Sequence, residues 1–338
     1  MLDISGAEGG GQLLRTALSL SICTGTPFRM TGIRAGRPKP GLMRQHLTSV
    51  MAACEISGAT VTGAELGSQE LSFVPGPVRG GDYRFAIGTA GSTTLVLQTI
   101  LPALCKATES STVQLEGGTH NPLAPPADFL IGAFAPLMQR MGVGLQIELE
   151  RYGFFPAGGG ALRVAISPAP FRPLSLIERG APVSRRARAL VSAIPGAIAD
   201  RELAVVARRL GFTQEELEHR SVRPAFGPGN AVMIELSFEN VTEVFTGFGE
   251  RGTSAEAVAE RVCEQAKAYL ESESAVGPNL ADQLLLPLAL AGGGQFSTTA
   301  PTEHLTTNAA LIEKFVAVEI DVRKDPASAG RWVVSVNQ

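Results

Sequence analysis

Histidine is rare in this 338-residue chain, and one of its four histidines stands in a context that suits nucleophilic chemistry. His304 opens the polar run His-Leu-Thr-Thr-Asn (304–308), after a stretch of small residues and at the predicted beginning of a helix. Much imidazole is uncharged near neutral pH, so such a side chain can attack an electrophile. A purely structural role also stays open for an isolated histidine. The others are His46, His120 and His219, and no HxxxH or CxxH spacing predicts a zinc site.

A cluster of positive charge follows the first predicted helix. Four cations fall within eleven residues on a loop stiffened by prolines, namely Arg34, Arg37, Lys39 and Arg44. Guanidinium groups can grip a phosphate through two parallel hydrogen bonds, and Arg15 on the first helix adds another cation. The cluster therefore predicts a phosphate site, although a solvated surface would have the same composition.

A glycine-rich segment, Gly-Ala-Glu-Gly-Gly-Gly-Gln (6–12), leads into the first predicted helix. Glycines allow a phosphate to approach the backbone, and a helix N-terminus attracts anions. The segment is neither a P-loop nor a GxGxxG motif. Glu8 within it would repel phosphate unless a divalent metal bridged the two, which is how Mg²⁺ is commonly held. A structural turn with Glu8 as a solvated acid is the alternative interpretation.

Composition indicates a globular protein with a sizeable core. Apolar residues make up 44% of the chain and charged residues 18%, which excludes a disordered chain. The formal net charge is −3, so any contact with nucleic acid must be a local patch. The length predicts about two domains.

Three pairs of predicted helices position these candidate residues, with short β-rich segments such as 112–115, 145–149 and 315–322 after them. The pairs cover residues 12–22 with 42–57, 92–107 with 127–141, and 280–291 with 302–315. The pattern predicts three copies of one α/β unit.

A stretch with a different composition and a different order of predicted elements separates the second and third helix pairs. It contains a basic segment (179–188), predicted helices at 199–210 and 254–270, and two predicted strands, 232–238 and 242–248, joined by a tight turn at Glu239-Asn240. We interpret it as an insertion. The predicted organisation is residues 1–178 for the first two units, 179–274 for a small inserted domain and 275–338 for the third unit.

The cysteines and the N-terminus predict a cytoplasmic protein. Cys23, Cys54, Cys105 and Cys263 show no CxxC spacing and lie in apolar stretches, which is typical of buried free thiols in a reducing compartment. No basic and then apolar leader opens the chain, and no apolar run approaches the length of a membrane helix.

Short motifs along nearly the whole chain resemble those of one known family. They are 8–15 (Glu-Gly-Gly-Gly-Gln-Leu-Leu-Arg), 33–46, 80–85 (Gly-Gly-Asp-Tyr-Arg-Phe), 88–98, 121–128, 153–160 (Gly-Phe-Phe-Pro-Ala-Gly-Gly-Gly), 280–283 and 304–308. In these motifs the chain resembles the RNA 3′-terminal phosphate cyclases. The resemblance implies an α/β (α+β) fold with three βαβαββ-type units forming a large domain, and a small α/β domain inserted before the third.

The same resemblance implies an enzyme, a nucleotidyl-transferring ligase that uses ATP and a divalent metal (Mg²⁺ or Mn²⁺). In that family a histidine attacks the α-phosphate of ATP and releases pyrophosphate. AMP then passes to an RNA 3′-phosphate, and the neighbouring 2′-hydroxyl expels AMP to leave a 2′,3′-cyclic phosphate. The implied partner is RNA with a 3′-phosphate end, and the oligomeric state is left open.

The family's functional positions fall on definite residues of this chain. The nucleophile falls on His304 and the metal-binding carboxylate on Glu8. Nucleotide contacts fall on Gln98, Pro125, Asn279, Leu280, Ala281, Asp282 and Gln283. Positions that hold phosphates fall on Arg15, Arg34, Arg37, Gln45 and His46. The chain departs from the family in having Asn279 where a tyrosine is usual, Tyr152 where a basic residue is usual, and Ala7 in place of a glycine.

Three other interpretations compete with this one. A catalytically silent cyclase-like protein of ribosome assembly would lack the nucleophile, so His304 counts against it. An enolpyruvyl transferase shares a repeated α/β architecture but forms no nucleotide adduct. A plain RNA-binding module would need stacking side chains, and aromatic residues make up only 6% of the chain.

Overall fold

A computed structural model of the chain describes residues 1–7, 10–224, 226–326, 328 and 330–338. These residues form four sheets of four strands each, with helices packed against them. The predicted α/β fold class is confirmed.

The first sheet is built by the N-terminal part of the chain. Its elements are β1 (Leu2–Ser5), α1 (Gly10–Thr24), β2 (Phe28–Thr31), α2 (Arg44–Ser57), β3 (Thr60–Thr62) and β4 (Glu70–Val74). The strand order is β1-β2-β4-β3, with β1 parallel to β2 and the remaining pairs antiparallel. Side chains alternate along β2, so that Phe28 and Met30 enter the core while their neighbours stay exposed.

The second sheet repeats this strand order. Its elements are β5 (Gly81–Ala86), α3 (Thr93–Leu104), β6 (Ser111–Gly117), α4 (Ala127–Phe129), α5 (Ala135–Arg140), β7 (Gly144–Arg151) and β8 (Gly160–Ser167), in the order β5-β6-β8-β7. Ser92 begins α3 as its N-cap, because its hydroxyl accepts a hydrogen bond from the Leu95 amide at 3.3 Å. The helix predicted at 127–141 contains a turn of π-helix at Leu130–Phe134.

The predicted insertion follows β9 (Leu174–Leu176) and forms a sheet of its own. It comprises β10 (Pro182–Ser192), α6 (Ala197–Leu210), β11 (Leu217–Ser221), β12 (Gly229–Phe238), β13 (Thr242–Phe248) and α7 (Ala255–Ser272), with strand order β11-β10-β12-β13. The predicted hairpin between β12 and β13 is present, and Ser254 caps α7 as its sequence position suggested. The two helices cover a separate hydrophobic cluster that includes Val206, Ile234 and Val262.

The C-terminal part completes a third sheet with the same strand order. Its elements are α8 (Pro278–Leu290), β14 (Gly294–Thr298), α9 (Glu303–Phe315), β15 (Glu319–Lys324) and β16 (Trp332–Asn337). The sheet is ordered β15-β16-β14-β9, and β14 lies parallel to β9. The first strand of this sheet thus precedes the insertion in the chain, a detail that the pattern of helix pairs did not reveal.

One large core joins the three similar sheets. It contains Leu14 of α1, Leu115 of β6 and Leu284 of α8, and it extends to Met233 and Val244 of the insertion. The insertion therefore packs against the larger body, and the domain limits 1–178, 179–274 and 275–338 remain a prediction.

The predictions about the cysteines and about membrane-spanning helices can be compared with the structure. All four cysteines are free; Cys105 and Cys263 are buried, whereas Cys23 and Cys54 are half-buried. Within the described ranges, no helix combines the length and the apolarity needed to cross a membrane.

Candidate active site

A cleft of about 1080 Å³ lies where the three similar units and the insertion meet. Eleven of the residues predicted from the sequence line it: Arg15, Arg34, Arg37, Gln45, His46, Gln98, Pro125, Asn279, Asp282, Gln283 and His304. Two others, Leu280 and Ala281, are buried in the core behind this surface of α8 instead. The predicted metal ligand Glu8 lies outside the described residues.

One end of the cleft carries a cluster of positive charge. The guanidinium groups of Arg15 and Arg37 have no hydrogen-bond or ion-pair partner among the residues that the structure describes. Burial lowers the pKa of the Arg15 guanidinium to about 10, which still leaves it charged at neutral pH. Arg15 is partly buried, and a charge removed from water without a partner is costly, so this end of the cleft is suited to an anion.

Glycines allow these cations to approach the backbone. The backbone of Gly10 is left-handed (φ +60°), and a Cβ added there would lie 3.3 Å from Nη2 of Arg37. A Cβ on Gly11 would collide with the ring of His46 and lie 3.1 Å from Nη1 of Arg15. The glycine-rich segment therefore brings the cations and His46 against the beginning of α1.

Arg34 differs from the other cations because it holds its own loop. It adopts a left-handed backbone (φ 54°), and its Nη1 donates to the carbonyl oxygens of Lys39 and Gly41, both at 2.8 Å. Burial, assisted by the charge of Arg37, lowers the pKa of Arg34. The sequence suggested two equivalent phosphate-binding arginines, whereas in the structure Arg34 braces the loop that carries Arg37.

His46 is held as a neutral hydrogen-bond donor. Its Nδ1 accepts a hydrogen bond from the Met43 amide at 3.3 Å, which leaves the proton on Nε2. Burial, together with the charges of Arg15 and Arg34, lowers the pKa of His46 to about 3. Its Nε2–H can therefore donate toward the beginning of α1 throughout the neutral range.

Gln45 links two units across the cleft. Its Oε1 accepts a hydrogen bond from the amide of Ser92, the N-cap of α3, at 2.7 Å. This contact sets the position of α2 relative to α3.

The opposite wall of the cleft is formed by α3 and α8. The side-chain amide of Gln98 donates to that of Gln283, which ties the two helices together. The carbonyl of Pro125 accepts a hydrogen bond from the Thr94 hydroxyl at 2.7 Å. Apolar side chains cover the inner part of the cleft, among them Leu101, Phe134, Met138, Val244 and Leu286. An apolar wall beside amide groups is the typical composition of a site for a nucleobase-sized ligand.

His304 is an exposed residue in the first turn of α9, at the edge of the cleft. Thr302 caps this helix: its hydroxyl accepts from the Leu305 amide at 2.9 Å and donates to Oδ1 of Asp282 at 2.7 Å. Burial raises the pKa of Asp282 to about 6, against the opposing effects of Thr302 and His304. Thr302 thus connects α8 to the turn that presents His304. Thr302 was predicted as the first residue of this helix, but no role in the site was predicted for it, although a threonine at the beginning of a helix is a common N-cap signal.

The remaining histidines have other roles. His219 lies at the surface and pairs with Asp200 at 2.7 Å. His120 is buried, and both of its ring nitrogens are engaged, with the Thr119 hydroxyl at 2.9 Å and with Oδ2 of Asp128 at 2.8 Å. Arg188 of the insertion donates to the other oxygen of Asp128 at 2.8 Å. His120 therefore fixes the loop 121–126, which lines the cleft, against the inserted sheet.

Glu243 of the insertion anchors the helix α8. It is 1% exposed, and its Oε1 accepts a hydrogen bond from the amide of Gly277, the N-cap of α8. Burial raises the pKa of this carboxyl to about 8, although hydrogen bonds from the Gly277 and Val244 amides oppose the shift.

Folding stability should therefore depend on pH through Glu243. The folded protein keeps a proton that the unfolded chain releases above its ordinary pKa of 4.5, so stability falls as pH rises from 4.5 toward 8. Between pH 5 and pH 7 the expected loss is about 2 kcal/mol. Glu243→Gln keeps the acceptor without the titration, and denaturant unfolding of this variant at the two pH values should lack that loss. Equal pH dependence in both proteins would show that Glu243 is ionised in the fold.

Taken together, the fold and the cleft define an α/β protein with a cationic, partly apolar cleft. Sequence comparison specifies the class further: a model of the RNA 3′-terminal phosphate cyclase family matches residues 6–322. The chain belongs to this family, as its motifs predicted. Curated proteins named RNA 3′-terminal phosphate cyclase are similar over almost their whole length. The one from Pseudomonas fluorescens is 54% identical over 96% of this chain and 94% of its own. The one from Ralstonia nicotianae is 56% identical over 96% and 93%, and that from Salmonella typhimurium is 54% identical over 94% and 93%.

Proposed function

We propose that this protein converts the 3′-terminal phosphate of RNA into a 2′,3′-cyclic phosphate with the consumption of ATP. The observation that carries the proposal is the cleft itself, in which an exposed histidine, several arginines and an apolar wall come together in a member of the cyclase family. The volume of about 1080 Å³ is sufficient for a nucleotide together with an RNA end.

In the first step, a ring nitrogen of His304 attacks the α-phosphorus of ATP. A nitrogen–phosphorus bond forms, and the bond to the pyrophosphate oxygen breaks. Arg15 and Arg37 offset the negative charge of the phosphates, which is the main contribution of a protein to nucleotidyl transfer. Thr302 and Asp282 orient the turn that carries the nucleophile.

In the second step, an oxygen of the RNA 3′-phosphate takes AMP from His304 and the nitrogen–phosphorus bond breaks. The 2′-oxygen of the same nucleotide then attacks the activated phosphate, loses its proton to solvent and expels AMP. His304 takes no part as a nucleophile in this closing step. His46 and Gln45 donate hydrogen bonds to the phosphate that is being activated.

A divalent metal would offset phosphate charge further. The described residues contain no group of three or more acidic, histidine or cysteine ligands, so a cage made of protein alone is not present there. Mg²⁺ usually keeps several waters and takes one or two carboxylates plus phosphate oxygens, a requirement that Glu8 beside bound phosphates would meet.

The metal role of Glu8 has a direct consequence. Glu8→Ala should raise the metal concentration needed for half-maximal adenylylation, because one ligand is lost. Titration of Mg²⁺ and Mn²⁺ against adduct formation measures this change. Superimposable titrations for the variant and the wild type would contradict the role.

Asn279 stands at the position where a tyrosine is usual, exposed in the first turn of α8. Asn279→Tyr should lower the ATP concentration needed for half-maximal adenylylation, because base–aromatic stacking is worth about 1–3 kcal/mol. ATP titration of adduct formation measures the effect. An unchanged or raised requirement would mean that the apolar wall of the cleft already covers the base.

Cyclisation itself tests the proposed function. RNA ending in a 3′-phosphate should become resistant to phosphatase when incubated with the protein, ATP and a divalent metal, and one AMP should be released for each end. RNA ending in a 3′-hydroxyl serves as the control. Continued phosphatase sensitivity under these conditions, without any AMP adduct, would refute the proposal and favour a catalytically silent protein.

A further inference from the structure

Exposed aromatic side chains are concentrated at the mouth of the cleft. Among the described residues, Phe155 (62% exposed) and Phe226 (53%) are the only exposed aromatic residues. Leu123 is 99% exposed and has a left-handed backbone (φ 64°) that is unusual for a leucine. Phe155 and Leu123 both line the cleft. Apolar side chains grouped at the opening of a site indicate a binding surface.

The two phenylalanines come from different parts of the chain and share one surface. Phe226 of the insertion packs on Gly159, where an added Cβ would lie 3.1 Å from the Cγ of Phe226. Gly159 belongs to the same loop between β7 and β8 as Phe155. A Cβ on Gly227 would fall against Ala157 of that loop. The insertion thus completes one rim of the cleft.

Arginines accompany these rings. The guanidinium of Arg151 lies 5.3 Å from the centroid of the Phe226 ring, and that of Arg220 lies 5.5 Å from the Tyr152 ring. Neither arginine has an acidic partner within the described parts of the chain. Each of these arginines places a positive charge beside an aromatic ring. We call Leu123, Phe155, Phe226, Arg151 and Arg220 the aromatic rim.

We propose that the aromatic rim binds the single-stranded nucleotides immediately upstream of the RNA 3′ end. This inference rests on the proposed function, because the terminal phosphate must reach His304 inside the cleft and the strand must leave across its mouth. Exposed rings stack on unpaired bases of any sequence, and arginines beside the rings can contact the phosphates of the RNA backbone. A duplex keeps its bases stacked within the helix and cannot present their faces to the rim.

The test compares long and short substrates. Phe226→Ala should raise the KM for a single-stranded 12-mer with a 3′-phosphate at least about tenfold, the scale of one lost base–aromatic stack. The KM for a nucleoside 3′-phosphate should change less than about twofold, since that substrate has no upstream nucleotides. Phe226→Tyr keeps the ring and should restore the wild-type KM. Val183→Ala, which removes an exposed apolar side chain from the beginning of β10, is the matched control.

Adduct formation with ATP and a divalent metal, in the absence of RNA, separates this inference from the proposed function. Phe226→Ala should form the AMP adduct at the wild-type rate, which also shows that the variant is folded. A KM for the 12-mer within about twofold of wild type would overturn the rim proposal while the adduct still forms. An equal rise in KM for the short substrate would overturn it as well, since the effect would then lie at the terminal nucleotide. Absence of the adduct in the wild type would instead count against the proposed function.

Discussion

Replacing His304 by Asn should abolish the covalent AMP–protein adduct that forms with ATP and a divalent metal in the absence of RNA. An amide has a similar size and polarity, but its nitrogen lone pair is delocalised and cannot attack phosphorus. The helix α9 should persist in this variant, because its N-cap Thr302 is unchanged. In the wild type the adduct should be lost in acid, because protonation makes imidazole a good leaving group, and it should survive mild alkali.

Two controls accompany this experiment. His219→Asn removes a surface histidine that does not line the cleft and should leave adduct formation intact. His304→Asn should still cyclise an RNA end that is supplied already adenylylated, since that step needs no enzyme nucleophile. An adduct that persists in His304→Asn would place the nucleophile elsewhere. His46 would then be the next residue to test, because both ring nitrogens of His120 are engaged.

Truncating Arg37 to Ala should weaken the binding of RNA that carries a 3′-phosphate by about 1.5–3 kcal/mol, the range for hydrogen bonds to charged groups. Arg37 has no partner within the described chain and lies against Gly10, so its guanidinium is free for a phosphate. The binding of RNA that ends in a 3′-hydroxyl should change very little in this variant. Binding measured for both RNAs at one fixed salt concentration gives the comparison.

The neighbouring arginines provide the controls. Arg44→Ala removes an exposed cation of the same loop region that does not line the cleft, and it should affect neither RNA. Arg34→Ala should weaken binding of the 3′-phosphate end together with a loss of stability, because Nη1 of Arg34 holds two carbonyls of the loop. Equal losses for both RNA ends in Arg37→Ala would indicate general attraction to the RNA backbone instead of recognition of the terminal phosphate.

Local patterns in the sequence were sufficient to predict most elements. Helix periodicity located α1, α2, α6 and α7 to within a few residues, and Ser92 and Ser254 were found at helix beginnings because an N-cap needs only its own turn. The strand after α9 was placed less well: it was predicted to begin at Phe315, the last residue of the helix, whereas β15 begins at Glu319. A short apolar run near a boundary fits either structure, and packing decides between them.

The sequence by itself also determined the family and the chemistry it implies, because motifs carry residue types whose reactivity needs no coordinates. Only the tertiary structure decided how those residues are used. It distinguished Arg34, whose guanidinium holds its own loop, from Arg37, whose guanidinium has no partner among the described residues. It also placed Leu280 and Ala281 in the core. It also paired β9 with β14 across an insertion of nearly one hundred residues. These outcomes depend on groups distant in the chain, since burial and hydrogen-bond partners are set by the packing of whole elements and not by local propensity.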